Sequence, residues 1–351
     1  MWVALGTALV VGGVVGGLIV GATQSSGSSV TSASSTASHT ESACPVTSVA
    51  DHVVPSVVTI AASGPGGAGT GSGEVIRSGG YILTNNHVIS AGAGSGGSVE
   101  VLFADGQSAP ATITGRDPQT DLAVLHVQTS RQLKVISLGS SSAVKVGQPV
   151  VAVGAPLGLS GTVTSGIISA LDRTVEVPGE SDRSALLVSA LQTDASINPG
   201  NSGGALVNWE DQLVGVPTAG AAVPNSGGGS IGLGFAIPVD LAKRIADEII
   251  ATGRVTHAFF GLSTLPIPPA AAEQAGLPEG LFVQAVTPGG PAAAAGLRAG
   301  DVITKIDGEP ATSNIQLQEL TLTKKPGDTV SIDYTRDGQS ATVTVTLAAQ
   351  P

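Results

Sequence analysis

From Val49 onward the chain alternates short runs of β-branched and aliphatic residues with clusters of glycine. The runs before the middle of the chain are Ser56–Ala61, Gly73–Arg77, Tyr81–Thr84, Val99–Phe103, Ala111–Gly115 and Leu122–Val127. Those after it are Pro149–Val153, Thr162–Leu171, Ser184–Gln192, Gly204–Val207, Gln212–Val216 and Gly232–Ile237. Runs of this length and composition, bounded by turn formers, read as strands. So many short strands must close into barrels or stack as a sandwich, and an antiparallel architecture of two units is expected. With 49 glycines in 351 residues and only 3% aromatics, small aliphatic side chains have to fill the core. One helix stands out, Val239–Ala251, where Leu241, Ile245 and Ile249 repeat every four residues between Asp240 and Gly253.

Ahead of this region the texture differs. Trp2–Ala22 is an uncharged apolar run of 21 residues, long enough to cross a bilayer as a helix. An uncleaved anchor is the favoured reading; a signal sequence ending at Val20-Gly21-Ala22 is the other. Residues 23–48, rich in Ser, Thr and Ala, read as a flexible tether. The single cysteine, Cys44, excludes an intrachain disulfide and cysteine-rich zinc sites, and no metal or cofactor is expected. A formal charge of −11 with 15 Lys and Arg argues against nucleic acid as a partner.

Three stretches carry chemistry. Gly200-Asn201-Ser202-Gly203-Gly204 sets a serine among residues that permit a tight turn with converging N–H groups, as a nucleophile beside an oxyanion hole requires. By itself it could be an ordinary Gly/Ser turn. His87, in Thr84-Asn85-Asn86-His87-Val88, ends an apolar strand and could act as a general base. Asp121 immediately precedes the aliphatic run Leu122–Leu125, where an ionised carboxylate needs partners. The order His87, Asp121, Ser202 is that of a chymotrypsin-type triad on the matching kind of β-rich chain. His52, His126 and His257 fall outside these motifs and read as structural or solvated.

These motifs, with Thr120–Leu125, Gln192–Gly204 and Gly234-Phe235-Ala236-Ile237-Pro238, resemble the HtrA (Deg) family of trypsin-like serine proteases. The resemblance implies a mostly β fold, with a chymotrypsin-like double β-barrel over residues 49–255 and an α+β PDZ domain over 256–351. It implies His87, Asp121 and Ser202 as catalytic residues, with the N–H groups of Gly200 and Ser202 as oxyanion hole. Ile197, Thr218, Ala219 and Phe235 would form the S1 pocket and substrate strand, suited to small or medium aliphatic side chains. Pro217, which lacks an N–H, departs from the family's substrate-pairing strand. Asn201 stands where zymogen-type relatives carry an Asp, so activation by N-terminal trimming is not expected. Arg173 would open a regulatory loop that senses the adjoining domain.

In the second domain, Phe259-Phe260-Gly261-Leu262 resembles a PDZ carboxylate-binding loop, and Pro291–Leu297 with Gly300-Asp301 is a further signature. Phe260, Gly261, Leu262, Ile315, Leu317 and Leu320 are the expected peptide-binding residues. The resemblance further implies an extracytoplasmic protein-quality-control protease, held at the cell membrane or secreted if residues 1–22 are cleaved. Its partners would be unfolded proteins, C-terminal peptides and two further copies of itself in a trimer. The other readings are a regulated, peptide-sensing protease of narrow range and a chaperone-like binding protein.

Overall fold

The computed structural model describes residues 45–155, 161–178, 180, 184–220 and 229–350. The apolar run at residues 2–22, Cys44 and most of the expected tether lie outside the described residues. No helix among those described is long and apolar enough to cross a membrane.

The first barrel consists of β1 (Val57–Gly64), β2 (Gly67–Arg77), β3 (Tyr81–Asn85), β4 (Ser98–Leu102), β5 (Ser108–Asp117) and β6 (Leu122–Val127). It closes in the order β1-β2-β3-β6-β5-β4, each pair antiparallel. Alternate residues point to opposite faces of a strand. Val58, Ile60 and Ala62 of β1 therefore meet Val75, Ile82, Val99, Val101 and Leu125 inside, and Thr59 and Ala61 take the outer face.

The second barrel is built from β7 (Ser137–Leu138), β8 (Pro149–Gly154), β9 (Thr162–Pro178), β10 (Ser184–Thr193), β11 (Ala205–Val207), β12 (Gln212–Gly220) and β13 (Gly234–Pro238). Its order is β11-β8-β9-β10-β13-β12, closed by a β11–β12 pairing, with β7 added along β12. Between the barrels lies one apolar cluster, joining Leu83, Leu122 and Val124 to Val151, Leu187, Leu213 and Ile237.

Two helices seal that cluster. α3 (Val239–Thr252) buries Ala242, Ile245, Ala246 and Ile249 on one face and ends at Gly253, whose N–H bonds the Ile249 carbonyl. α1 (Pro45–Val53) is a helix the sequence pattern did not announce. It begins inside the stretch expected to be tether, and contributes Val49 and Val53 to the cluster. Residues four apart on a helix share a face, and these two valines dock it together with Val46. α2 (Asn86–Ile89) is a single turn following β3.

Beyond Gly253, β14 (Ala258–Phe259) pairs with β21 (Ala348–Ala349) near the end of the chain. β15 (Leu262–Pro266), β16 (Leu281–Val286), β17 (Val302–Ile306), β19 (Thr329–Arg336) and β20 (Gln339–Thr346) form one antiparallel sheet, with β18 (Glu309–Pro310) on β17. The β19–β20 hairpin turns through Asp337 and Gly338 at φ 51° and 77°, the mirror-image turn that matches strand twist. α4 (Pro269–Ala275), α5 (Pro291–Ala294) and α6 (Asn314–Thr323) complete the domain. α6 opens with a capping box in which the Ser313 and Gln316 side chains bond each other's backbone turn.

This domain packs on the second barrel. Leu322 of α6 enters an apolar cluster with Leu186 and Val188 of β10, and Leu241 of α3 lies against it. Arg244 donates to the Leu322 carbonyl at 2.6 Å. Nearby, His257 Nε2 lies 2.9 Å from Asp117 Oδ2, both side chains buried, and the Thr120 hydroxyl donates to the same oxygen at 2.6 Å. His257 is thus structural, as are His126, whose Nε2 lies 3.0 Å from the Gly79 carbonyl, and His52, 2.8 Å from Asp211.

Candidate active site

β3 is apolar until its last residues, and there the polar side chains are buried. Thr84 and Asn85 are fully buried, so each must find partners. Thr84 Oγ1 donates to the Ser72 carbonyl at 2.6 Å. Asn85 Nδ2 donates to the Asp121 carbonyl at 2.8 Å and to Thr218 Oγ1 at 2.5 Å. The chain then turns into α2 and presents His87, whose side chain is 39% exposed. Asp121 is 3% exposed and adopts φ 57°, a left-handed conformation that Asp tolerates better than most residues. Its Oδ1 accepts the His87 backbone N–H at 2.9 Å, and its Oδ2 lies 2.8 Å from His87 Nδ1. A carboxylate can only accept, so Nδ1 carries the proton and Nε2 is left as the basic nitrogen.

Ser202 arrives from the second barrel, in the turn between β10 and β11. A single residue of the first barrel, Ser72 in β2, holds this turn. Its N–H donates to the Ser202 carbonyl at 2.9 Å, its hydroxyl donates to the Gly200 carbonyl at 2.6 Å, and that hydroxyl accepts the Ala155 N–H at 2.8 Å. Gly203 threads the gap behind. It sits at φ 78°, and a Cβ there would lie 2.3 Å from the Ser72 carbonyl oxygen and 2.4 Å from Thr84 Oγ1, so no side chain fits.

The N–H groups of Asn201, Gly203 and Gly204 bond the carbonyls of Asn198, Pro217 and Asn201. Those of Gly200 and Ser202 donate to no group among the described residues. The Ser202 hydroxyl donates to the Thr218 carbonyl at 3.1 Å; no Ser202–His87 hydrogen bond occurs among the described residues.

Of the other expected residues, Thr218 is a strut, with its hydroxyl on Asn85 and its carbonyl on Ser202. Ile197 is 3% exposed among Ala195, Leu206, Val214 and Ala236, and Gly234 lies against it. Phe235 does not join Ile197. Strand alternation along β13 turns it to the other face, where it packs on the cluster between the barrels. The Ala219 backbone lies opposite Phe235. Pro217 is buried opposite Ala236, with its carbonyl taken by Gly203, so its missing N–H falls before the Thr218–Gly220 edge. Arg173 opens no loop. β9 continues to Pro178, so Arg173 lies within a strand opposite Ala190, with its Nε donating to Gln192 at 3.2 Å. Asn201 is 1% exposed and donates to the Ser196 carbonyl at 3.2 Å. Among the described residues no cluster of three or more His, Cys, Asp or Glu is grouped for a metal ion.

In the second domain a groove of about 250 Å³ runs between β15 and α6, lined by Phe260, Gly261, Leu262, Leu317, Gln318 and Thr321. Ile315 and Leu320 do not line it: Ile315 is exposed and Leu320 packs on the domain core. The helix phase decides this, because residues 314, 317, 318 and 321 share the face toward β15. Ser72, Thr84 and Asn85 were not anticipated as supports of the site. The signal available was three consecutive polar residues, Thr84 to Asn86, closing an otherwise apolar strand.

A double β-barrel that brings an oriented histidine–aspartate pair from one barrel to a glycine-flanked serine from the other, followed by a PDZ domain, is the architecture of a PDZ-containing trypsin-like protease. A trypsin-like peptidase domain matches residues 71–216 and a PDZ domain residues 258–347. Serine protease PepD of Mycobacterium tuberculosis is 47% identical over 312 residues, covering 86% of this chain and 66% of that protein. The periplasmic pH-dependent serine endoprotease DegQ of Escherichia coli is 40% identical, covering 80% of this chain and 59% of DegQ. Among solved structures, the HtrA-type protease AlgW with a decapeptide superposes with TM-score 0.70 at 33% identity, over 87% of this chain and 99% of AlgW. The chain belongs to the HtrA family of serine proteases. It spans about three fifths of the length of the two curated relatives named.

Proposed function

We propose that this chain is an extracytoplasmic serine endopeptidase of protein quality control, with Ser202 as nucleophile, His87 as general base and then acid, and Asp121 as its orienter. The observation that carries this reading is the double contact of buried Asp121 with His87, through both ring and backbone. It leaves the imidazole in one tautomer with Nε2 available. Rotation about the Ser202 Cα–Cβ bond takes the hydroxyl from the Thr218 carbonyl toward Nε2, and the oxygen then attacks the scissile carbonyl. The unused N–H groups of Gly200 and Ser202 stabilise the oxyanion, each donor contributing about 3 kcal/mol in such sites. The imidazolium next to Asp121 protonates the leaving amine, and water repeats the sequence on the acyl-enzyme.

Ile197 and Gly234, with no carboxylate beside them, suit a small or medium aliphatic side chain before the scissile bond. The Thr218–Gly220 edge pairs with the substrate on that side. In the PDZ domain an extended C-terminal peptide adds to β15, its carboxylate at the N–H groups of Phe260–Leu262. The apolar run at residues 2–22 and the periplasmic relative support an exported protein, anchored or released after cleavage. The family supports a trimer and damaged proteins as substrates.

The test is casein degradation by the soluble portion, with Ser202→Ala as control and a fluorophosphonate as label. Wild type degrades casein and is labelled at Ser202, and the variant does neither. Equal inertness of both, without labelling, refutes the assignment. Cleavage only after a C-terminal peptide is added favours the regulated protease of narrow range. The hydrogen bond that turns the Ser202 hydroxyl to Thr218 supports that second reading.

A further inference from the structure

A second cleft opens on the other side of the serine turn. It measures about 650 Å³ and is lined by Pro199 and Gly200 together with Thr59, Thr70, Leu102 and Glu100 of the first barrel. These barrel residues share the outer face. Ala61 pairs with Thr70 on one side and Glu100 on the other, and Thr59 pairs with Leu102.

β2 borders the serine turn through Ser72, and β1 and β4 follow in order across the barrel. The cleft therefore leads from Gly200, past β2 and β1, to Glu100 on β4. The Thr218–Gly220 edge lies at the other side of Ser202, through the bond between the Ser202 hydroxyl and the Thr218 carbonyl.

Glu100 is exposed, and its carboxylate makes no hydrogen bond or ion pair among the described residues. Among the described residues it is the only charged one lining the cleft. The neighbouring charge of the β4–β5 turn, Asp105, is paired with Arg131, which follows β6.

We propose that this cleft binds substrate residues on the leaving-group side of the scissile bond, and that Glu100 selects a lysine or arginine there. The proposal rests on Ser202 being the nucleophile. If the acyl side of the substrate follows the Thr218 edge, the leaving side has to depart past Pro199 and Gly200. Two strand spacings of about 4.8 Å put β4 roughly 10 Å from β2, a distance an extended peptide covers in about three residues. A long basic side chain at the second or third leaving-side residue then reaches the carboxylate. A glutamate at the same place meets like charge.

The experiment compares three peptides that differ only at the second and third leaving-side positions, carrying Lys, Gln or Glu, as kcat/KM ratios within each protein. Wild type is expected to favour Lys over Gln by about three- to fivefold, the range of a partly solvated ion pair, and to disfavour Glu. Glu100→Gln flattens the ratio and Glu100→Lys reverses it. Glu309→Gln removes the same charge from the PDZ domain and leaves the ratio as in wild type, which separates a local contact from the overall −11 charge. Cleavage of all three peptides at equal kcat/KM, or a Lys preference that survives Glu100→Gln, overturns the proposal and leaves the protease reading intact. Failure to cleave any peptide, together with no fluorophosphonate labelling of Ser202, removes both.

Discussion

Glu74 is a carboxylic acid in a place that should reject its charge. It lies in β2 between Val57 and Leu83, both part of the apolar cluster that joins the barrels, and is 0% exposed. Neither carboxyl oxygen has a hydrogen-bond partner among the described residues. Burial therefore pushes its pKa well above the usual carboxylate range, against a smaller opposing effect of its own backbone N–H.

The consequence for stability has a definite sign. Below about pH 4.3 the side chain is protonated in both folded and unfolded chains and contributes no pH dependence. Above it the unfolded chain ionises while the folded protein keeps its proton. The native state then binds more protons than the unfolded one, and stability falls as pH rises. The slope is about 1.4 kcal/mol per pH unit until the folded acid itself ionises. Glu74→Leu removes that slope and also relieves an unpartnered polar group, which adds about 1–3 kcal/mol at any pH.

Urea denaturation of wild type and Glu74→Leu at pH 5 and pH 6 gives the measurement. All other titrating groups cancel in the difference, so the gap between the proteins should widen as pH rises, by at most about 1.4 kcal/mol over that unit. Parallel stabilities across the interval would refute the reasoning, as would a wild type more stable than the variant at both pH values. Glu74→Gln serves as control: it loses the slope and retains the buried polar cost.

Three further outcomes are expected. Asp121→Asn presents an amide that can donate to the ring and releases the tautomer, so kcat should fall by about 10⁴-fold, as in trypsin-type triads, with little change in thermal stability; a loss below tenfold would exclude the orienting role. Gly203→Ala forces a Cβ against the Ser72 carbonyl and should destabilise the fold by about 3 kcal/mol or more while abolishing fluorophosphonate labelling, measured by thermal melts and labelling rate. Leu322→Ala opens a cavity among Leu186, Val188 and Leu241 and should weaken docking of the PDZ domain by about 2–4 kcal/mol, seen as proteolytic cutting near residues 253–257 under conditions that leave wild type whole.

Residue types and their order were enough to find the family. His87, Asp121 and Ser202 could be picked out because each sits where its neighbours give it no packing role, and each lies at a chain turn. β6 could be delimited in full at Leu122–Val127, since its run is apolar on both faces and bounded by Asp121 and Gln128. What stayed hidden depended on phase. Phe235 faces away from Ile197 because β13 begins at Gly234, and an apolar run of five residues does not reveal which face is which. Ile315 and Leu320 were drawn from α6 on hydrophobicity, but the groove uses Gln318 and Thr321 beside Leu317, polar residues on the correct face. α1 was missed because two valines in a Ser/Thr/Ala context look like tether until a partner surface exists to bury them.

The site spans two barrels, and its geometry depends on how closely they approach. His87 and Asp121 belong to the first barrel, Ser202 and Thr218 to the second, and few hydrogen bonds cross directly between these sets. Asn85 ties Thr218 to Asp121, and Ser72 ties Gly200 and Ser202 to β2. Bonds of 2.5–2.9 Å between backbones and short side chains tolerate little displacement. The barrels can therefore come together at that spacing only if nothing bulky lies at the seam, which is what Gly203 supplies against the Ser72 carbonyl. Gly203 thus does more than form a turn, since it lets one barrel set the position of the other's serine. A serine held this way is positioned by the fold itself. Asn201 beside it is buried and uncharged, and its side chain ties the turn to the Ser196 carbonyl.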